Sequence, residues 1–175
     1  MSEDRLILVD ILDRPVGEMP KMQAHVQSRL HRAFSVFLYD GNDLVIQKRA
    51  QGKYHSGGLW ANTCCSHPRV GEELTDAVCR RLQQELAVTY TPDRLIHVGE
   101  FVYRRDFGAL SEYEYDHVFL GQYDGAYTPN PEEIAELKTI DIDDLAADIQ
   151  ANPQAYAAWF ITAFPMVYRY LKEHQ

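Results

Sequence analysis

The sequence predicts an α/β (α+β) fold, a mixed β-sheet flanked by helices in a single domain. Three observations carry that expectation. Short apolar runs of strand length recur at residues 6–10, 33–39, 44–49, 96–103 and 112–123. A helical stripe formed by Leu74, Ala77, Val78, Leu82 and Leu86 separates the first three runs from the last two. Two further helical stretches close the chain, at residues 143–150 and from Pro153 onward, so strands and helices can form layers around one core.

In chain order, Leu6-Ile7-Leu8-Val9-Asp10 ends in the turn residues Asp13, Pro15 and Gly17, as a first strand would. Lys21, His25 and His31 follow in a polar segment around Gln27-Ser28-Arg29, without clear periodicity. Residues 33–39 and 44–49 are joined by Asp40-Gly41-Asn42-Asp43, a hairpin signal. Lys48-Arg49-Ala50-Gln51-Gly52-Lys53 continues as a basic, glycine-bearing loop. The helix over residues 74–87 has Thr75 as its expected N-cap, with Glu72, Glu73 and Asp76 near the positive end of its dipole. Thr91-Pro92-Asp93 breaks the chain before the strand at 96–103. After Gly108, residues 112–123 alternate as another strand, and residues 136–141 supply the last. Pro153 after Asn152 suits the first position of the final helix. No repeat, low-complexity segment or linker divides the chain.

At 175 residues, 46% hydrophobic and 25% charged, the chain can bury a proper core and has the composition of a soluble globular protein. A net charge of −9 argues against broad binding to nucleic acid or anionic membranes, so an anionic ligand must be met by a local basic cluster. Three cysteines, two of them adjacent, make no disulfide framework. Met1 to Arg5 is polar and no apolar run approaches membrane-spanning length, so a cytoplasmic location is expected.

The densest chemistry lies in Gly57-Gly58-Leu59-Trp60-Ala61-Asn62-Thr63-Cys64-Cys65-Ser66-His67-Pro68. If residues 60–67 run extended, Cys65 and His67 share one face and Cys64 and Ser66 the other. A thiol beside an imidazole can exchange protons, although a buried cysteine is commonly an inert packing residue. Glu112 and Glu114 leave the same face of a strand, roughly 6.5–7 Å apart. Such a pair is usually a solvated strand face. Joined by His25, His31 and His67 it would instead bind a divalent ion such as Mn, Fe or Zn. His25 and His31 could equally lie on the surface, and His55, His97, His117 and His174 have no comparable partners. Arg49 and Lys53, with Lys21 and Arg81, are candidates for a phosphate clamp, the alternative being a basic loop that aids solubility. Trp159 is either a core aromatic or a π face for a cationic intermediate.

Residues 71–88, from Gly71-Glu72-Glu73-Leu74 to Leu86-Ala87-Val88, resemble the Nudix box, a loop and helix that position metals on a diphosphate. The departures are instructive. Ala77, Arg81 and Gln84 stand where that box carries carboxylates, and only Glu85 survives. A hydrolase that needs several carboxylates around Mg²⁺ would be crippled, so the fold is expected without the hydrolysis.

Within that superfamily the chain is similar to the type 1 isopentenyl diphosphate isomerases over nearly its whole length. The matching parts are Leu30-His31-Arg32-Ala33-Phe34-Ser35, Lys48-Arg49-Ala50 with Lys53, Trp60 to Pro68, Glu112-Tyr113-Glu114 and Trp159. The resemblance implies one Nudix-like isomerase domain over residues 1–175 that interconverts isopentenyl and dimethylallyl diphosphate. It implies Cys65 as the catalytic thiol, favoured over Cys64 by the two-residue step to His67. It makes Glu114 a proton-transfer group and Trp159 a stabiliser of the carbocation; Tyr103 joins them once one residue is deleted before Glu112. Divalent metal, Mn²⁺ or Zn²⁺, is expected on His25, His31, His67, Glu112 and Glu114. Mg²⁺ is expected with the diphosphate near Glu85, and the diphosphate on Lys21, Arg49, Lys53 and Arg81. No flavin, nucleic acid or membrane is expected, and the protein should be a monomer. A Nudix hydrolase and a non-catalytic ligand-binding domain are the alternatives.

Overall fold

β3 (His31–Asp40) organises the sheet. It pairs in parallel with β8 (Leu110–Gln122) along nine residues, from His31 with Glu114 to Tyr39 with Gln122. It turns into β4 (Asp43–Arg49) through Gly41, whose φ of +60° is the left-handed region a glycine enters without strain. β3 and β4 pair only beside that turn and then part. β6 (Cys64–Ser66) takes up the edge of β3, while β5 (Trp60–Ala61) and β9 (Ile134–Asp141) flank β4. β1 (Arg5–Val9) meets β3 at His31 and carries β2 (Pro15–Pro20) outside it, and β7 (Ile96–Phe107) lies antiparallel on β8. The computed structural model describes residues 4–53 and 56–175; His55 lies outside them.

Alternation along the strands builds two cores. Phe34, Val36 and Leu38 of β3 pack on Ala77, Val78, Leu82 and Leu86 of α2 (Leu74–Leu86). Phe37 of β3 faces the other way, with Val118 and Leu120 of β8, onto α3 (Ile142–Ala151) and α4 (Ala158–Glu173). Each fully buried Leu or Phe here contributes about 1.5–3 kcal/mol. The result is the expected mixed sheet with helices on both faces. Among the described residues no helix is long and apolar enough to cross a membrane.

Several local expectations change. The stretch from Trp60 to His67 is not one extended run, because it crosses from β4 to β3 at Asn62 and Thr63. These side chains bridge the parted strands. Thr63 Oγ1 donates to Val45 O at 2.6 Å and accepts from Leu38 N at 2.8 Å, and Asn62 Nδ2 donates to Val36 O and Cys64 O. Pro15–Pro20 is a strand rather than a turn; at a sheet edge its prolines leave no donor missing. The polar segment contains a six-residue helix, α1 (Lys21–Val26). The N-cap of α2 is Glu73, and Thr75 lies inside the first turn. β7 continues past Tyr103 because Gly108, at φ +70°, turns it directly into β8. Pro153 opens only a short 3₁₀ turn, since Tyr156 runs alongside Trp60 before α4 begins at Ala158.

Candidate active site

The parallel register sets His31 against Glu114, and β8 alternation adds Glu112 and Asp116 to the same face. α1 brings His25 from the side. Both imidazoles are buried, at 1% and 0% exposure, which rules out the surface placement. His25 Nδ1–H donates to Lys21 O at 2.7 Å and His31 Nδ1–H to Arg29 O at 2.9 Å. A carbonyl can only accept, so Nδ1 of each ring carries a proton and Nε2 is the nitrogen left to face the cluster. Among the described residues His31 Nε2 has no hydrogen-bond partner, and it lies 3.6 Å from Glu114 Oε1. Ligand atoms of His25, His31 and Glu114 lie within 4.8 Å of one another. His67 joins them through Nε2, 3.1 Å from Glu114 Oε1.

The protonation states suit a metal. Burial pushes His67 down to about 3, so its imidazole is neutral. Burial works to raise Glu114, but the imidazoles of His31 and His67 hold it well below the usual carboxylate range. Glu112 goes the other way, pushed up to about 9 by burial and then by the Glu114 charge. Neutral imidazoles and an ionised carboxylate are the forms in which these groups coordinate a cation. The buried cluster of His25, His31 and Glu114 can hold a divalent metal.

A cavity opens beside this cluster, with Cys65, Glu112, Glu114, His67 and Trp159 in its wall. The two thiols diverge as alternation requires. Cys64 is fully buried on the α2 side and its thiol donates to Glu85 Oε2. Cys65 faces the cavity, with Arg49 Nη1 3.7 Å from its sulfur. Burial pushes the Cys65 thiol up to about 12 against the pull of Arg49, so it carries its proton at neutral pH. Trp159 Nε1 donates to Asn62 Oδ1 at 3.1 Å, and the Arg49 guanidinium lies 5.0 Å from its ring centroid. Tyr103, paired with Glu114 across β7 and β8, packs edge-on against Trp159 at 6.4 Å.

Lys21, Arg49, Lys53 and Arg81 all reach the cavity. Lys53 pairs with Glu133, and Arg81 Nη2 lies 3.2 Å from Glu85 Oε1 and 3.6 Å from Glu133 Oε1. Glu85 thus belongs to the basic wall, apart from the imidazoles. Sequence reasoning missed Glu133, which carries no local motif. It also missed Asp116, although Glu112-x-Glu114-x-Asp116 continues the same alternation. Burial pushes Asp116 well above its usual range, and Ser35 Oγ donates to it at 3.0 Å. Two histidines given no partner, His97 and His117, are 3.2 Å apart on the far face of the sheet. His174 has one as well, its Nδ1 donating to Tyr170 O at 2.8 Å.

The NUDIX domain family matches residues 29–160. Isopentenyl-diphosphate Delta-isomerase 2 of Aromatoleum aromaticum is 47% identical over 94% of this chain and 87% of its own length. The Delta-isomerase of Burkholderia multivorans is 46% identical, covering 90% of this chain and 89% of its own. That of Photobacterium profundum is 42% identical over 97% and 94%. A crystal structure from Deinococcus radiodurans superposes with a TM-score of 0.68 at 22% identity, over 85% of this chain and 90% of that one. The MutT protein of Methanosarcina mazei gives 0.64 at 12%, over 83% and 94%. The structural likenesses establish the Nudix fold; the sequence likenesses are closer and run nearly end to end, and the chain belongs to the Nudix-domain isopentenyl-diphosphate Delta-isomerase family, type 1.

Proposed function

We propose that this chain, acting as one domain over residues 1–175, interconverts isopentenyl and dimethylallyl diphosphate by protonation and deprotonation. The observation that carries this is that Cys65 and Glu114 stand in the wall of one cavity, where burial raises the thiol while the neighbouring imidazoles lower the carboxyl. Double-bond transposition needs an acid and a base that differ in this way. In the forward direction the alkene π pair takes the proton of Cys65, forming a C–H bond at the terminal carbon and leaving a tertiary cation. Glu114 then removes a proton from the neighbouring methylene, whose C–H electrons become the new double bond. The site is reset through solvent, the carboxylic acid giving up its proton and the thiolate taking one, and Arg49 stabilises the thiolate meanwhile.

The indole face of Trp159 accepts the Arg49 cation at 5.0 Å and suits the carbocation as well. Tyr103, edge-on to Trp159, joins Cys65, Glu114 and Trp159 as an active-site residue. Lys21, Arg49, Lys53 and Arg81 anchor the diphosphate, and that binding energy holds a small apolar tail for reaction. Mn²⁺ or Zn²⁺ on His25, His31, His67, Glu112 and Glu114 would lower the proton affinity of Glu114, with Mg²⁺ beside the diphosphate near Glu85. Hydrolysis is disfavoured by α2: Ala77 is buried and Arg81 occupies Glu85, so water-activating carboxylates are lacking there. A monomer suffices, since one chain supplies both proton-transfer groups.

Cys65→Ala should lower conversion of isopentenyl diphosphate by about 10²–10⁴-fold with the circular dichroism spectrum unchanged. Cys64→Ala should keep substantial activity, and the reverse pattern would assign the chemistry to the other thiol. His31→Ala should lose one equivalent of divalent metal relative to the parent protein when both are purified without chelator. Equal metal in the two would remove His31 from the ligand set. Arg49→Ala and Lys53→Ala should each raise KM, the loss of a charge-assisted contact costing about 1.5–3 kcal/mol, or roughly ten- to a hundredfold. Unchanged KM in both would leave the loop a solubility role.

A further inference from the structure

We propose a second divalent-metal site on the opposite face of the sheet from the cavity, formed by His97, Glu100 and His117. Odd and even positions of β8 leave opposite faces, so His117 points away from Glu114 and Asp116. Glu100 pairs with His117 across β7 and β8. A register shift between His97 and Gly99 puts an extra residue into β7, which brings His97 and Glu100, three apart, to one face.

The three ligand atoms form a compact triangle. His117 Nδ1 lies 3.2 Å from His97 Nε2 and 3.3 Å from Glu100 Oε2, and His97 Nε2 lies 3.8 Å from the same oxygen. Ligand bonds of about 2.0–2.1 Å in a tetrahedral zinc site put donor atoms about 3.3–3.4 Å apart. The neighbours aim these atoms. Asp13 Oδ2 lies 2.8 Å from His117 Nε2, and Asp13 is itself fixed by Arg32 Nε at 2.9 Å from Oδ1. A carboxylate held this way accepts, so Nε2 carries a proton and Nδ1 is the nitrogen turned toward the triangle. A carboxylate behind an imidazole is the arrangement that supports a metal-binding histidine. Tyr115 Oη donates to Glu100 Oε1 at 2.9 Å, leaving Oε2 turned toward the rings.

Three electron-rich atoms this close repel one another unless a cation or a proton lies among them. His97 and Glu100 side chains are 45% and 44% exposed, which gives an ion access and leaves room for water as a fourth ligand. Two imidazole nitrogens and one carboxylate oxygen, with no thiolate, suit Zn²⁺, with Co²⁺ as a spectroscopic substitute.

The test uses metal-stripped full chain titrated with Zn²⁺ and with Co²⁺, counting bound ions and following the histidine ring resonances by NMR. His97→Ala and Glu100→Ala should each bind one equivalent fewer than the parent, whatever His31→Ala does at the other cluster. Asp13→Asn should weaken the lost site about ten- to a hundredfold, as expected for removing the group behind a ligand. Zn²⁺ should shift the His97 and His117 ring signals in the parent. Equal metal in the parent and in His97→Ala/Glu100→Ala, or ring signals that ignore Zn²⁺, would overturn the site and leave a proton holding the trio together.

Discussion

The parallel pairing of β3 with β8 is the constraint on which the site depends, because it sets His31 directly against Glu114. A carboxylate at 8% exposure would cost several kcal/mol to keep ionised if it stood alone. His31 and His67 beside it, with His25 closing the cluster, remove much of that cost. Backbone carbonyls at Lys21 and Arg29 fix which nitrogen of His25 and His31 faces inward. The main chain thus arranges a cluster that can hold a cation as much as the side chains do. A slip of one residue between β3 and β8 would send Glu112 and Glu114 to the α2 face and dismantle the site.

The parting of β3 and β4 supplies the second half. Ladder hydrogen bonds that the two strands cannot give one another go to Asn62 and Thr63, and the crossing segment then pairs with β3 as β6. That short strand separates the adjacent thiols. Cys64 enters the α2 core, where Glu85 takes its proton-bearing sulfur as a donor, and Cys65 faces the cavity. Asn62 also accepts from the Trp159 indole, so one buried amide ties the crossing segment, β3 and α4 together. This chain keeps a Nudix framework while using α2 for packing and an ion pair. Ala77 packs the core, and Arg81 turns the remaining carboxylate, Glu85, into an ion pair.

Much of this was legible in the sequence, and what was not has physical causes. The β3–β4 hairpin and α2 follow from periodicity and from Gly41, which are local signals. The opposed directions of Cys64 and Cys65 follow from alternation, even though the run is broken at Thr63. α1 was hidden because six residues are too few for a helical stripe to emerge, so the burial of His25 could be reached only through the family resemblance. The ion pairs of Lys53 and Arg81 with Glu133 span long stretches of chain and leave no pattern. His97 and His117 looked isolated because the bulge that aligns His97 with Glu100 has no composition signature, and Asp13 arrives from another strand pair altogether.

The central claim is that Cys65 and Glu114 move protons while the diphosphate stays attached, and exchange with solvent tests it most directly. Isopentenyl diphosphate is incubated with the protein and Mg²⁺ in deuterated water and followed by NMR. Solvent deuterium should enter the new methyl group of dimethylallyl diphosphate with no phosphate released, and Glu114→Gln should stop that incorporation. Phosphate appearing without deuterated dimethylallyl product would contradict the account and make the cavity a hydrolase site.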